Sequence, residues 1–281
     1  MTTNLAERIA AALTVAWVLA FAGASQAGDF DFSDLEFQAG GVGFISPRYE
    51  GSKSYQVQGV PFAFPGSKGG DDDLNFSDVD SIQYRIVKSG MFEAGPLAGA
   101  WFGRNESDGN KLGGLGDINE GLVVGAYAAI NTGMTKFTTS FHHQVTGDDV
   151  GSLIRFRADS EIPIATGIKF QAGVGTNYAT DQYMNVNFGV SAAQAFASTA
   201  GLLAYNPSAG FKDVFVGAGF EAELDSRWTA RVYGTYSRII GDAGDSPVIE
   251  TQDQFSGLFA LTYQFGRSGE PATAASPALL K

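Results

Sequence analysis

Between residues 151 and 163 the chain alternates with a period of two. Leu153, Arg155, Arg157, Asp159 and Glu161 share one face of an extended strand, and Ile154, Phe156, Ala158, Ser160 and Ile162 share the other. One face is charged and the opposite face is mostly apolar. Residues 167–178 repeat the pattern, with Lys169, Gln171, Gly173 and Asn177 against Ile168, Phe170, Ala172 and Val174. In 213–224, Val214, Val216, Ala218, Phe220, Ala222 and Leu224 oppose Asp213, Gly217, Gly219, Glu221 and Glu223, with Phe215 interrupting the polar face. Residues 228–239 set Trp228, Ala230, Val232 and Tyr236 against Arg231, Thr235 and Ser237. These segments predict β-strands.

Alternation alone also fits a soluble sandwich, whose apolar face points inward. Strand length and loop asymmetry separate the two. The segments run to about ten residues, the length a tilted strand needs to cross a bilayer, whereas globular strands usually stop at about 5 to 6. Connections alternate between short (88–90, 131–133, 165–167, 225–227) and long (104–120, 179–212, 241–254, with 146–150 a shorter member). Short turns at one end and long loops at the other are the arrangement of outer-membrane barrels. Candidate strands at 36–46, 55–64, 73–78, 81–87, 91–103, 122–130, 134–145 and five later ones beginning near 151, 167, 213, 228 and 255 predict an all-β, antiparallel up-and-down transmembrane barrel of twelve strands. Ten is the alternative if 73–78 is not a strand and the first segment is something else. The last strand carries Phe255, Phe259, Leu261, Tyr263 and Phe265 on one face and ends in Tyr-Gln-Phe. Tyr263 and Phe265 thereby form the expected assembly signal, and aromatics near strand ends seat at the bilayer interfaces.

Composition narrows the picture further. Thirty-seven glycines, 22 phenylalanines, 10 tyrosines and no cysteine suit many strands and turns and exclude disulfides, thiolate metal sites and an acylated-cysteine anchor. A net charge of −12 argues against a nucleic-acid partner. Arg8 precedes the apolar run 9–21, and Ser25-Gln26-Ala27 offers a cleavage site. The expected organisation is therefore a signal peptide at 1–27, a barrel at 28–265 and a disordered periplasmic tail at 266–281, rich in Ala, Pro and Ser. The expected location is the outer membrane, in contact with its lipid.

With the apolar faces toward lipid, Arg85, Arg155, Arg157, Asp159, Glu161, Lys169, Glu221, Glu223 and Arg231 face the lumen. They form either a selectivity lining or, as the cost of unpaired buried charge favours, a network of paired charges. His142 and His143 are adjacent and so point to opposite faces. Ser140 shares the face of His142, a pairing found in outer-membrane lipid hydrolases, but Lys136 and Thr138 on that face place His142 in the lumen, away from lipid; no catalytic site is assigned. Asp242, Asp245 and the run at 71–73 are acidic enough to invite calcium, yet their spacing matches no cation loop, and solvated acidic loops with a turn around Pro247 account for them. No cofactor or metal is expected. Gly217 and Gly219 precede no helix and so serve the barrel wall rather than a phosphate. A short helix or a folded loop segment is expected between 191 and 204, from its alanine content.

Several segments resemble the MltA-interacting protein family, also called the MipA/OmpV family of outer-membrane proteins. They are Pro47-Arg48-Tyr49-Glu50-Gly51-Ser52 with Tyr55-Gln56-Val57 and Val60-Pro61; Gly103-Arg104-Asn105-Glu106 with 112–117; 187–195; and Gly241-Asp242-Ala243-Gly244-Asp245-Ser246-Pro247-Val248. Pro47, Tyr49, Gly51, Asp242, Asp245, Ser246 and Pro247 are the motif residues of its loops. The tail beyond Phe265 departs from the family pattern. The resemblance implies a non-enzymatic barrel that scaffolds a murein lytic transglycosylase and a murein synthase. A small-solute channel and an outer-membrane lipid-modifying hydrolase are the alternatives.

The register makes a direct prediction. Phe156→Arg on the lipid face costs about 2–4 kcal/mol of barrel stability, while Arg157→Phe disturbs insertion far less. Unfolding in detergent or lipid measures both, and equal effects would reject the assignment of faces.

Overall fold

The computed structural model describes residues 37–65, 74–78 and 80–265. The expected signal segment, the tail at 266–281 and the acidic run at 71–73 lie outside the described residues. The strands are β1 (Phe37–Pro47), β2 (Tyr55–Pro65), β3 (Leu74–Asp78), β4 (Ser81–Tyr84), β5 (Val87–Ser89), β6 (Phe92–Trp101), β7 (Gly121–Asn131), β8 (Thr135–Gln144), β9 (Ser152–Ala165), β10 (Ile168–Ala179), β11 (Gly210–Glu223), β12 (Trp228–Ile239) and β13 (Asp253–Phe265). All pair antiparallel with their neighbours, in the order β2-β1-β13-β12-β11-β10-β9-β8-β7-β6-β4-β3, with β5 also on β6. The first and last strands pair directly, from Phe37↔Phe265 to Ile45↔Gly257. This is the up-and-down order that the loop lengths predict.

One predicted strand, 81–87, is divided. Its pairing with β6 runs Gln83↔Leu97 in β4 but Val87↔Ala94 in β5, a shift of one residue. A shift of one ordinarily turns every following side chain to the other face. Here the extra residue leaves Ile86 and Val87 both exposed, at 68% and 45%. Local composition carries no mark of this bulge.

The wall curls into a barrel. β3 and β9 are five ladder steps apart, which in a flat sheet is roughly 24 Å. Yet Arg155 and Arg157 of β9 lie 3.7 and 3.9 Å from the Asp78 carboxylate at the end of β3. Side chains can bridge that interval only across a curved interior.

Burial along the strands is inverted relative to a soluble protein. In β8, Thr138, Ser140, His142 and Gln144 are buried while Phe137 and Phe141 are exposed. In β11, Lys212 and Asp213 are buried while Val214, Val216 and Phe220 are about half exposed. An apolar exterior around a polar interior satisfies the hydrophobic effect only where the surrounding medium is hydrocarbon. Outer-face aromatics gather at both ends of the wall. Trp228, Tyr263 and Phe265 pack together at the short-turn end, with ring separations of 4.9 and 4.5 Å, and Tyr236 meets Phe255 at 5.2 Å near the long-loop end.

Inside, Gly173, Gly217 and Gly219 form a smooth floor for one aromatic ring. A β-carbon on Gly217 would lie 2.6 Å from the Tyr233 ring, one on Gly219 2.7 Å from it, and one on Gly173 3.0 Å from its hydroxyl. The glycines therefore make room for Tyr233 of β12, which lies across β11 and β10.

The long connections fold into a 3-10 turn (Glu106–Asp108) and three helices, α1 (Asp181–Phe188), α2 (Ala192–Ala197) and α3 (Gly241–Gly244). α2 is the helical one of the two alternatives expected between 191 and 204. α1 has no sequence forecast, because its asparagines are poor helix formers and the helix is held by packing of Tyr183, Met184 and Phe188.

Gly217→Ala forces Tyr233 off its floor and is expected to cost about 1–3 kcal/mol. Gly234→Ala, whose β-carbon would meet nothing closer than 4.0 Å, should leave stability unchanged or slightly raised. Urea unfolding of the refolded barrel separates the two.

Candidate functional site

The inward charges of β9 anchor a polar chain at the long-loop end of the lumen. Arg155 gives a two-pronged pair to the Asp80 carboxylate, at 2.9 and 3.0 Å, and its Nε donates to Asn177 Oδ1 at 2.8 Å. Asn177 Nδ2 donates to Asp213 Oδ1 at 2.8 Å, and Asp213 accepts from Lys212 Nζ at 2.6 Å. Lys212 also pairs with Glu50, which accepts from the Tyr183 hydroxyl at 3.2 Å. Trp101 Nε1 donates to Asp80 at 3.0 Å. The chain thus links the β3–β4 turn, three adjacent strands, the β1–β2 loop and α1, with alternating donors and acceptors throughout. Paired, charge-assisted bonds of this kind are what permit charge in a dry interior.

Most of these partners escape a sequence reading. Lys212 and Asp213 are consecutive, so a regular strand would place one on each face. The register between β10 and β11 shifts between Asn177↔Asp213 and Tyr178↔Phe211, which leaves Lys212 as a bulge residue and turns both side chains inward. Asp80 sits in a turn, where aspartate is ordinarily solvated, and nothing local marks it as buried.

Toward the short-turn end the lumen is more open. Arg157 pairs with Asp159 at 2.7 Å and lies over the Phe215 ring at 5.5 Å, which gives that apolar intruder a role. Arg85 lies 3.8 Å from Glu93, which also pairs with Lys136. Glu221 pairs with Arg231 and lies 3.5 Å from Lys169. Glu161 accepts from Gln171 at 3.1 Å, and both it and Glu223 are exposed at the mouth. The nine residues expected on the inner face therefore range from a buried zone around Arg155 to an exposed one around Glu161, Lys169, Glu223 and Arg231.

His142 is fully buried in the zone around Arg155. Its Nδ1 lies 3.1 Å from the Asp80 carbonyl oxygen and its Nε2 2.8 Å from Ser140 Oγ. With Nδ1 donating to that carbonyl, Nε2 accepts from the serine hydroxyl. The Asp80 carboxylate is 3.6 Å from the ring. Serine, imidazole and aspartate thus stand in the order of a nucleophilic triad. Ser140, however, is only 4% exposed and faces the lumen, and the aspartate is committed to Arg155. His143 lies on the outer face, 2.9 Å from Ser152 Oγ and stacked on Phe141.

Above the ionic chain the loops build an apolar cap. α1 lays Tyr183, Met184 and Phe188 against the strand-end residues Leu153, Ala179 and Ile239 and against Ala243 and Ile249. Tyr49, Leu112, Leu115, Val190 and Val248 make a second cluster. All four segments that carry the family resemblance meet here. Gly51 has φ +91°, and its carbonyl accepts from Glu250 and Thr251 N–H at 2.7 and 3.1 Å; a β-carbon there would lie 2.4 Å from Ile249. Ser246 Oγ donates to the Phe188 carbonyl at 2.5 Å, Arg104 to that of Asn187 at 3.0 Å, and Lys111 to that of Pro247 at 3.0 Å. Asp242 accepts from Ser208 N–H at 2.9 Å. Asp245 ends α3, and Pro47 ends β1 beneath the cap. Burial, reinforced by Glu250, pushes the Tyr49 phenol up to about 12. At the opposite end of the wall, the Tyr263 hydroxyl accepts from Arg227 at 2.9 Å and its ring packs on Phe265.

The family model for MltA-interacting protein MipA matches residues 39–265. Outer membrane protein Omp26La of Vibrio anguillarum is 24% identical over 243 residues, 81% of this chain and 85% of that protein. Outer membrane protein OmpV of Vibrio cholerae serotype O1 is 23% identical over 208 residues, 69% of this chain and 74% of that protein. An outer membrane channel from Pseudomonas putida F1 superimposes with a TM-score of 0.41 at 8% identity, over 85% of this chain and 99% of that one. The fold assignment rests on strand order and burial rather than on that superposition.

Truncating one member of the Asp80–Arg155 pair strands the other in the buried zone. Asp80→Ala and Arg155→Ala are each expected to destabilise the barrel by about 3–5 kcal/mol, and the double variant by clearly less than their sum. A double-mutant cycle from urea unfolding checks this; simple additivity would mean that the pair is not coupled.

Proposed function

The chain belongs to the MltA-interacting protein (MipA) family of the outer membrane, and from that premise we propose that it is a non-conducting, non-enzymatic scaffold that engages a murein lytic transglycosylase, and with it a murein synthase, from the periplasmic side. The observation that carries this reading is the asymmetry of the lumen. At the long-loop end an apolar cap lies over a paired ionic layer, and Met184, Phe188, Leu112 and His142 have no exposed surface. At the short-turn end Glu161 and Glu223 are exposed and Lys169 is nearly half exposed. A pore needs a continuous wet path; this barrel is a cup, and its open end faces the periplasm when short turns lie on that side. The same burial speaks against hydrolysis at Ser140, because a substrate carbonyl has no approach to the hydroxyl.

The family's description as MltA-interacting supports a murein partner, and the exposed short turns offer it a surface. A photo-crosslinking residue at Thr166 or Ser226, in the short turns, is expected to trap a murein lytic transglycosylase in membranes; one at Phe196, in the cap, is not. Purified protein in planar bilayers is expected to give no stepwise conductance. Stable conducting steps, or turn positions that capture no murein enzyme, would overturn the scaffold reading.

A further inference from the structure

The cap carries a cleft that the scaffold reading does not use. It has a volume of about 350 Å³ and lies where the end of α1, the start of α2 and residues 204–206 meet. Its lining includes Asn185, Ser191, Gln194, Tyr205 and Asn206, and no charged side chain among the described residues contributes to it. In a protein with a net charge of −12, under loops bearing Asp242 and Asp245, an uncharged cleft is a specific chemical environment.

The cleft is held open by bonds that fix its walls. Val190 and Tyr205 exchange backbone hydrogen bonds, both of 2.8 Å. Ser191 and Gln194 cap each other at the start of α2, and Gln194 Nε2 donates to the Leu115 carbonyl at 2.6 Å. The Tyr205 hydroxyl donates to the Asp242 carbonyl at 2.7 Å. These groups are committed to shape. Left to meet a ligand are the part of the half-buried Tyr205 ring that does not pack on the cluster of Tyr49, Leu112 and Val190, the side-chain oxygen of Asn185, whose amide nitrogen already donates to the Asp181 carbonyl, and the exposed amide of Asn206. An aromatic face beside amides that both donate and accept suits a ligand with a C–H-rich face and several hydroxyls. Anions are disfavoured, because burial together with Asp242 and Asp245 already raises the Tyr205 phenol.

We propose that this cleft is a binding site for a neutral saccharide of one or two rings, with Tyr205 stacking on a sugar face and Asn185 and Asn206 bonding its hydroxyls. The site opens on the cap, at the opposite end of the barrel from the turns of the scaffold reading, so the two proposals fail independently. A sugar free in solution and one borne on a membrane glycolipid offer the same chemistry.

The test uses the full folded barrel and saturation-transfer NMR, with maltose, lactose and cellobiose as neutral probes, glucuronate as the anionic one and spermidine as the cationic one. At least one neutral disaccharide is expected to show transfer, weakened at least tenfold in affinity by Asn206→Ala and by Asn185→Ala, with heat modifiability unchanged. Repeating the measurement in nanodiscs with and without a neutral glycolipid assigns the source: competition by the glycolipid points to a membrane-borne glycan, its absence to a free one. Transfer from none of the neutral sugars, stronger binding of glucuronate or spermidine, or undiminished binding by both folded variants would overturn the proposal.

Discussion

Asp80 stands at the tip of a short hairpin, and Arg155 lies on a strand far around the wall; their two-pronged pair is the contact on which the closed end of this barrel depends. A buried charge is tolerable only when its partners are fixed and complete. Arg155 meets that condition by engaging Asp80 on one side and Asn177 on the other, and the requirement propagates through Asp213 and Lys212 to Glu50 and Tyr183. Each member satisfies the next, so the hairpin, three strands, the β1–β2 loop and the cap helix are constrained together. Trp101 donates to the same carboxylate, and His142 bonds the carbonyl of its turn and is in turn held by Ser140.

The hydrophobic effect acts twice in this molecule, in opposite senses. On the wall it favours Phe137, Phe141, Val216 and Phe220 facing outward, because the medium there is lipid. In the cap it draws Met184, Phe188, Leu112 and Val248 inward, because the loops fold in water. Between these two regions the interior is polar, with paired charges that are buried near the cap and more exposed near the turns. Among the described residues that gradient leaves the long-loop end buried and the short-turn end exposed. The cap is left as an ordered external surface whose shape is set by hydrogen bonds to backbone carbonyls.

The sequence by itself determined the wall. Two-residue periodicity, strand lengths near ten, alternating loop lengths and the terminal Tyr-Gln-Phe specified an up-and-down barrel of the outer membrane, because side-chain direction in a strand is a local property. The four loop segments that marked the family were also legible, though only as separate stretches. Tertiary structure alone decided where those stretches meet and which charges are buried. The bulge at Lys212, the divided strand around Ile86 and the burial of Asp80 arise from pairing register and from the curl of the wall, and neither is written in neighbouring residues. Helix α1 forms because a lumen mouth of the right apolar shape lies beneath it, and Gly217 and Gly219 admit Tyr233 because its strand lies beside theirs. Faces follow from the local chain; depth, pairing and curvature follow from what the distant chain brings opposite.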